Sequence, residues 1–190
     1  KKIWVASGTY QGSFEMVEGA NLHGGFAGYE TDFNKIDTVA NKTYIDASYE
    51  GRALTQVVDF DTPTEWAGVI IQNGYASGVD EDVYGGGAYL KKNGALRYST
   101  IRGNKAVATS NYNQVNAYGG GVYLEEGASL SQSTISGNIA QISDESGGKI
   151  PNGVAQGGGV HNLGNRLSYL VVIDNKTVSQ TNTDGGAIYS

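Results

Sequence analysis

The chain has 190 residues, a net charge of −6, 17 % charged residues, 29 Gly, 2 Pro and no Cys. That length fits one domain, and the negative charge argues against nucleic acid or an anionic membrane as partner. Without Cys there is no disulfide, no thiolate nucleophile and no Cys-based metal site, and no apolar run is long enough to span a membrane.

Taken in order, Ile3-Trp4-Val5 and Phe14-Glu15-Met16-Val17 read as strands separated by turn residues around Gly8 and Gly12, and Asn21 to Phe26 opens the next turn of chain. Tyr29 to Lys42 is polar and aperiodic, an excursion with room for a helical turn. Strands resume over Lys42–Asp46 and Ala53–Phe60, and Pro63 marks a turn that no central strand tolerates. The chain opens on Lys1-Lys2-Ile3 with no start Met or apolar leader, which reads as a trimmed segment of a longer protein.

From residue 65 the sequence repeats. GGGAYLKKNGALRYSTIRGN (85–104) is followed by GGGVYLEEGASLSQSTISGN (119–138), then GGGVHNLGNRLSYLVVIDN (157–175), and a last copy begins at Gly185. From Gly87 to Asn104 and from Gly121 to Asn138 is 17 residues, and from Gly159 to Asn175 is 16, whereas Asn to the next Gly triplet runs 12, 15 and 19. A unit of fixed length with insertions at one place is what a stacked coil requires. Short apolar runs, turn residues and Ser/Thr/Ile/Val stretches, with no helical stripe, make the coil β.

Aliphatic-x-x-Asn tetrads end at Asn73, Asn104, Asn138 and Asn175, which predicts a buried ladder of stacked amides. The Gly pairs predict places where backbone passes close to backbone. Length variation predicts loops over Ala76–Tyr84, Val107–Tyr118, Gln141–Gln156 and Val178–Asp184, all leaving one side as an acidic wall.

The pairing of a GGA(I/V/Y) motif with an (F/I)xxN motif resembles the repeat of chlamydial polymorphic outer-membrane proteins. With IWVASGTY at the start and NLHGGFAGYET at 21–31, nearly the whole chain is similar to right-handed β-helix surface proteins of gut Bacteroidetes. The resemblance implies an all-β, right-handed parallel β-helix, a pectin-lyase-like solenoid, and four Asn-marked coils with roughly three more in the first sixty residues predict about seven coils. It forms one domain over 1–190, irregular over 1–64 with the excursion near 29–42, and regular over 65–190. It also implies a secreted or bacterial cell-surface location, and it leaves function open, because the fold hosts enzymes and adhesins alike.

Two readings of function stand. One is a non-enzymatic extracellular, adhesin-like solenoid, monomeric, touching a glycan or a host or cell-surface protein through its loops. The other is the non-catalytic portion of a polysaccharide lyase or glycoside hydrolase. No aligned cluster of carboxylates with a basic residue supports catalysis, and His23 and Asp184 match hydrolase motifs only as isolated fragments. Candidate ligand contacts are the column Tyr89, Tyr123, His161 and the insertion residues Asp80, Glu81, Asp82, Tyr112, Asp144 and Glu145. Tyr98, Gln132 and Tyr169 form a second expected column. Asp59, Asp61 and Glu65, or Asp80 to Asp82, offer at most a weak Ca²⁺ site and no other cofactor.

Overall fold

The computed structural model describes residues 1–110, 114–144, 153–179 and 182–190. It is an all-β solenoid with one short 3₁₀ turn, Phe33–Lys35, and every strand pair within its sheets is parallel. Three sheets run the length of the stack. The first joins Lys2–Ala6, Asn21–Phe26, Thr64–Ala67, Gly94–Arg97 and Ser129–Ser131. The second runs from Gly8–Gln11 through Thr43–Asp46, Ile70–Gln72, Thr100–Arg102 and Thr134–Ser136 to Val171–Ile173, and the third from Phe14–Glu15 through Leu54–Thr55, Ala88–Leu90, Val122–Leu124 and Val160–Asn162 to Ile188–Tyr189. Six strands in a sheet span about five turns, not seven, because the excursion lengthens one early coil and the inserted strands lengthen the later ones.

The period of the coil dictates the core. Alternate residues face inward, so Trp66, Leu96 and Leu130 align in the first sheet, Ile45, Ile71, Ile101 and Ile135 in the second, and Leu54, Ala88, Val122 and Val160 in the third. All are buried, and they form one continuous core.

The expected loops are largely strands. Between the second and third sheets the chain makes a fourth, Tyr75–Val79, Lys105–Thr109, Ile139–Ser143 and Lys176–Val178. It returns through a fifth, Val83–Tyr84, Ala117–Tyr118, Val154–Gln156 and Asn182–Asp184. Ala76, Ala106, Ala108, Ala117, Ala140 and Ala155, with Val83, Val115 and Ile142, fill a second, smaller core between them. Alanines allow two sheets to close on each other, so the coil has two lobes.

The Gly triplets and the Asn ladder meet at the waist between the lobes. A Cβ on Gly86 would lie 2.2 Å from the Lys105 carbonyl carbon, and one on Gly120 2.2 Å from that of Ile139. A Cβ on Gly87 or Gly121 would press on the amides of Asn104 or Asn138 at 2.7 and 2.9 Å. Asn104 Nδ2 donates to Asn138 Oδ1 at 2.9 Å, and Asn138 Nδ2 to Asn175 Oδ1 at 2.8 Å.

Asn73 is not in that ladder. Ile71, not Ile70, aligns with Ile101, so Asn73-Gly74 occupies the places of Gly103-Asn104 in reverse order, and Gly74 N–H donates to Asn104 Oδ1. Asn73 instead shares a left-handed corner column with Gly103, Gly137 and Asp174, at φ between 53° and 63°, and its amide donates to Asp46. No helix among the described residues is long and apolar enough to cross a membrane.

Candidate functional site

Gly85, Gly119, Gly157 and Gly185, at φ between 55° and 64°, turn the chain from the fifth sheet into the third. The bend is concave outside, so outward side chains of the two sheets meet across it. Tyr123 stacks 5.0 Å from His161 with the ring planes nearly parallel, and His161 stacks 5.0 Å from Tyr189. Tyr89 meets Tyr123 edge-on at 5.3 Å, and Tyr84 and Tyr118 pack against them from the facing sheet. Tyr123 is 7 % exposed and His161 4 %, so the column is an aromatic seam whose ring faces are already occupied.

Burial lowers His161 to a pKa of about 4, and its Nδ1 has no hydrogen-bond partner among the described residues. Burial, reinforced by nearby acidic groups, raises Tyr118 and Tyr123 to about 12. Burial also raises Tyr89, whose hydroxyl donates to Glu125. Arg52 closes one end of the seam over the Tyr89 ring, donating to the Tyr84 and Gly85 carbonyls.

The acidic candidates do not converge. Asp80 Oδ1 accepts from Ser110 Oγ, Asp82 accepts from both nitrogens of Asn116, and Glu81 stays exposed beside them. Glu65 faces Arg97 at 4.0 Å, and Asp61 N–H is turned to Glu18. Asp144 is half-buried beyond the strand Ile139–Ser143, while Tyr112 and Glu145 lie outside the described residues. Among the described residues no His, Cys, Asp and Glu cluster could hold a metal ion.

A different surface gathers exposed rings. At the corner between the first and second sheets, Gly68, Tyr98, Gln132 and Tyr169 form a column at φ 68°, 49°, 50° and 54°. Only the first is Gly, and an aromatic residue held there is an outlier that needs support. Ser99 and Ser133, which follow Tyr98 and Gln132, supply it at those two corners, each donating to a carbonyl two residues back while accepting an amide N–H from the coil before it. Tyr98 is 53 % exposed and Tyr169 84 %. The two rings do not stack coil on coil, because Gln132 occupies the rung between them. Arg97 lies 4.8 Å over the Tyr98 ring instead, and its Nε donates to Gln132 Oε1 at 2.6 Å.

The excursion walls one end of this surface. Glu30 accepts the N–H groups of Ala27 and Gly28, Asp32 caps the 3₁₀ turn, and Asp37 accepts from Val39 and Ala40, so the segment holds its own shape. Phe33 packs edge-on against His23 at 5.0 Å and beside Trp4, under Lys2. Between Phe33, Ile36, His23, Glu65 and Tyr98 opens a cleft of about 380 Å³. Burial lowers the His23 pKa against the opposing charge of Glu65. Along the strands beyond it the outward rows run from Glu65 through Ala95 to Ser129 and from Ala67 through Arg97 to Ser131, small residues apart from Glu65 and Arg97. Rings, a guanidinium, an amide and hydroxyls beside a flat floor can stack on and hydrogen-bond a planar-faced polar ligand. The resemblance drew attention to the Asn and Gly phases, and the aperiodic stretch holding Phe33 carried no repeat signal.

Compared with models of known protein families, with curated proteins and with solved structures, the chain matches none of them.

Proposed function

We propose that this chain is a non-enzymatic, extracellular segment of a bacterial cell-surface solenoid, right-handed and pectin-lyase-like, that holds a glycan along the outer face of its first sheet. The observation that carries the reading is the pair of exposed Tyr rings fixed in left-handed corners two coils apart, about 10 Å at the strand spacing, beside a cleft lined by rings and charges. A row that repeats with the coil suits a ligand that itself repeats. The contact surface therefore moves from the insertions, most of which are spent on the second core, to the corner opposite in the coil.

A glycan array read alongside a lyase assay on uronic-acid polymers tests it. Binding is expected without any unsaturated uronide product. Replacing Tyr98 and Tyr169 by Ala removes two ring contacts of about 1 kcal/mol each, so retention on the bound glycan should fall roughly tenfold or more. Retention unchanged in that double variant, or product from the lyase assay, would overturn the reading.

A further inference from the structure

The second lobe begins abruptly. In the second coil the chain passes from Thr43–Asp46 to Leu54–Thr55 through a short turn, with no lobe, and the lobe's first rung, Tyr75–Val79 and Val83–Tyr84, stands above that turn as a ledge. Each of these strands pairs with one neighbour and, among the described residues, has no strand on its other side.

The hydrogen bonds tell which backbone groups that leaves. Gly74 C=O accepts from Lys105 N–H and Asp80 N–H donates to Thr109 C=O, so the even-numbered residues of this strand turn to the next rung and the odd ones away from it. Tyr75 N–H, on the outer side, donates to Gly51 C=O. Tyr84 C=O, on the outer side of the companion strand, takes the Arg52 guanidinium. Ser77 and Val79 remain with their N–H and C=O groups pointing off the ledge, and both are exposed.

Below them is a cleft of about 340 Å³ lined by Glu50, Arg52, Ser77, Glu81 and Asp82 among others. Arg52 is its one cationic lining residue, and its charge is committed to the Tyr84 and Gly85 carbonyls. The carboxylates of Glu50 and Glu81 are exposed, and Glu81 leans back over Gly78, leaving the backbone edge at Ser77 open.

We propose that this ledge takes an extended, basic peptide segment of a partner protein as an added strand on the edge of Tyr75–Val79. Ser77 and Val79 would supply the main-chain hydrogen bonds, and the exposed carboxylates of Glu50 and Glu81 select Lys or Arg on alternate positions of the peptide. This surface is separate from the aromatic corner and does not depend on glycan binding.

The test uses the intact chain and two labelled pentapeptides, capped at both ends: Lys-Val-Lys-Thr-Lys and its acidic counterpart Glu-Val-Glu-Thr-Glu. Fluorescence anisotropy should show saturable binding of the basic peptide, weakening as salt screens the carboxylates, and none of the acidic one. Amide exchange at Ser77 and Val79 should slow when the basic peptide is present. Ser77→Pro, which removes an edge N–H, and the surface variant Glu50→Lys with Glu81→Lys should each weaken binding about tenfold or more, whereas Tyr98→Ala with Tyr169→Ala should leave it unchanged. Absence of binding, equal binding of the acidic peptide, unaltered exchange at the two amides, or full binding by the Glu50→Lys/Glu81→Lys protein would overturn the proposal. Loss of peptide binding in the Tyr98→Ala/Tyr169→Ala protein would overturn it as well, by placing the peptide at the corner.

Discussion

At the scale of single residues, two asparagines two turns apart do different work. Asn138 is fully buried, accepts from the Asn104 backbone and amide, and donates to Asn175 and to the Ile101 carbonyl. Asn138→Leu leaves those groups unpaired, and a loss of about 2 kcal/mol is expected in a denaturant melt. Asn73 sits at φ 55°, where Gly is at ease, and its bonds to Asp46 are only part-buried. Asn73→Gly should therefore shift the same melt by less than about 1 kcal/mol; equal losses in the two variants would restore Asn73 to the ladder. His161 makes the residue-scale case for pH. Its folded pKa of about 4 lies below the ordinary 6.5, so the unfolded chain binds the extra proton first. Stability is therefore full above pH 6.5 and falls as pH drops toward 4, by at most about 3 kcal/mol. His161→Tyr, which extends the neighbouring Tyr column, should flatten that part of the stability profile, and an unchanged slope would assign it to other groups.

At the scale of elements, the coil is pinched by its glycines. Gly120→Ala would put a methyl 2.2 Å from the Ile139 carbonyl carbon and 2.4 Å from the Gly158 carbonyl oxygen, both backbone, so neither neighbour can swing aside. A loss of about 3 kcal/mol or more is expected on thermal melting, against little for Gly137→Asn. Gly137 has open space around it and shares its left-handed column with Asn73. The sequence announced this pinch, because close backbone approach leaves triplets of Gly in fixed phase with Asn. It did not announce the second lobe. Ala76, Ala106, Ala108, Ala117 and Ala140 are too small and too widely spaced to raise a hydrophobic signal, yet they suffice where two sheets approach closely. The same limit hid the seam. Tyr89, Tyr123 and His161 were legible as a column, but whether an outward column is exposed or folded into a concave bend depends on the Gly119 and Gly157 turns. The cleft at Phe33 needs an aperiodic segment to fold back on His23, which no periodicity reports.

At the scale of the whole molecule, five turns at about 4.8 Å make a stack about 24 Å tall, in which each rung touches only the rungs above and below. Stability in such an array is a sum of rung and interface contributions, so it should fade toward the ends. Burial already grades this way: Ile101 and Ile135 are fully enclosed, whereas Val172, their inward counterpart in the last rung of the same sheet, is only partly buried. Hydrogen exchange should then be slowest for amides of the middle rungs, 88–136, and fastest for those of 171–189. The Asn ladder adds a directional test, because Asn138 bonds forward to Asn175 and back to Asn104. If the array is one-dimensional, Asn138→Leu should let the last coil open by itself. A loss of about 2 kcal/mol corresponds to roughly 30-fold faster exchange, and it should appear over 171–189 while the amides of Thr43–Asp46 and Ile70–Gln72 keep their wild-type rates. Acceleration spread evenly over both ends would mean that the two lobes and all six rungs open as one cooperative unit.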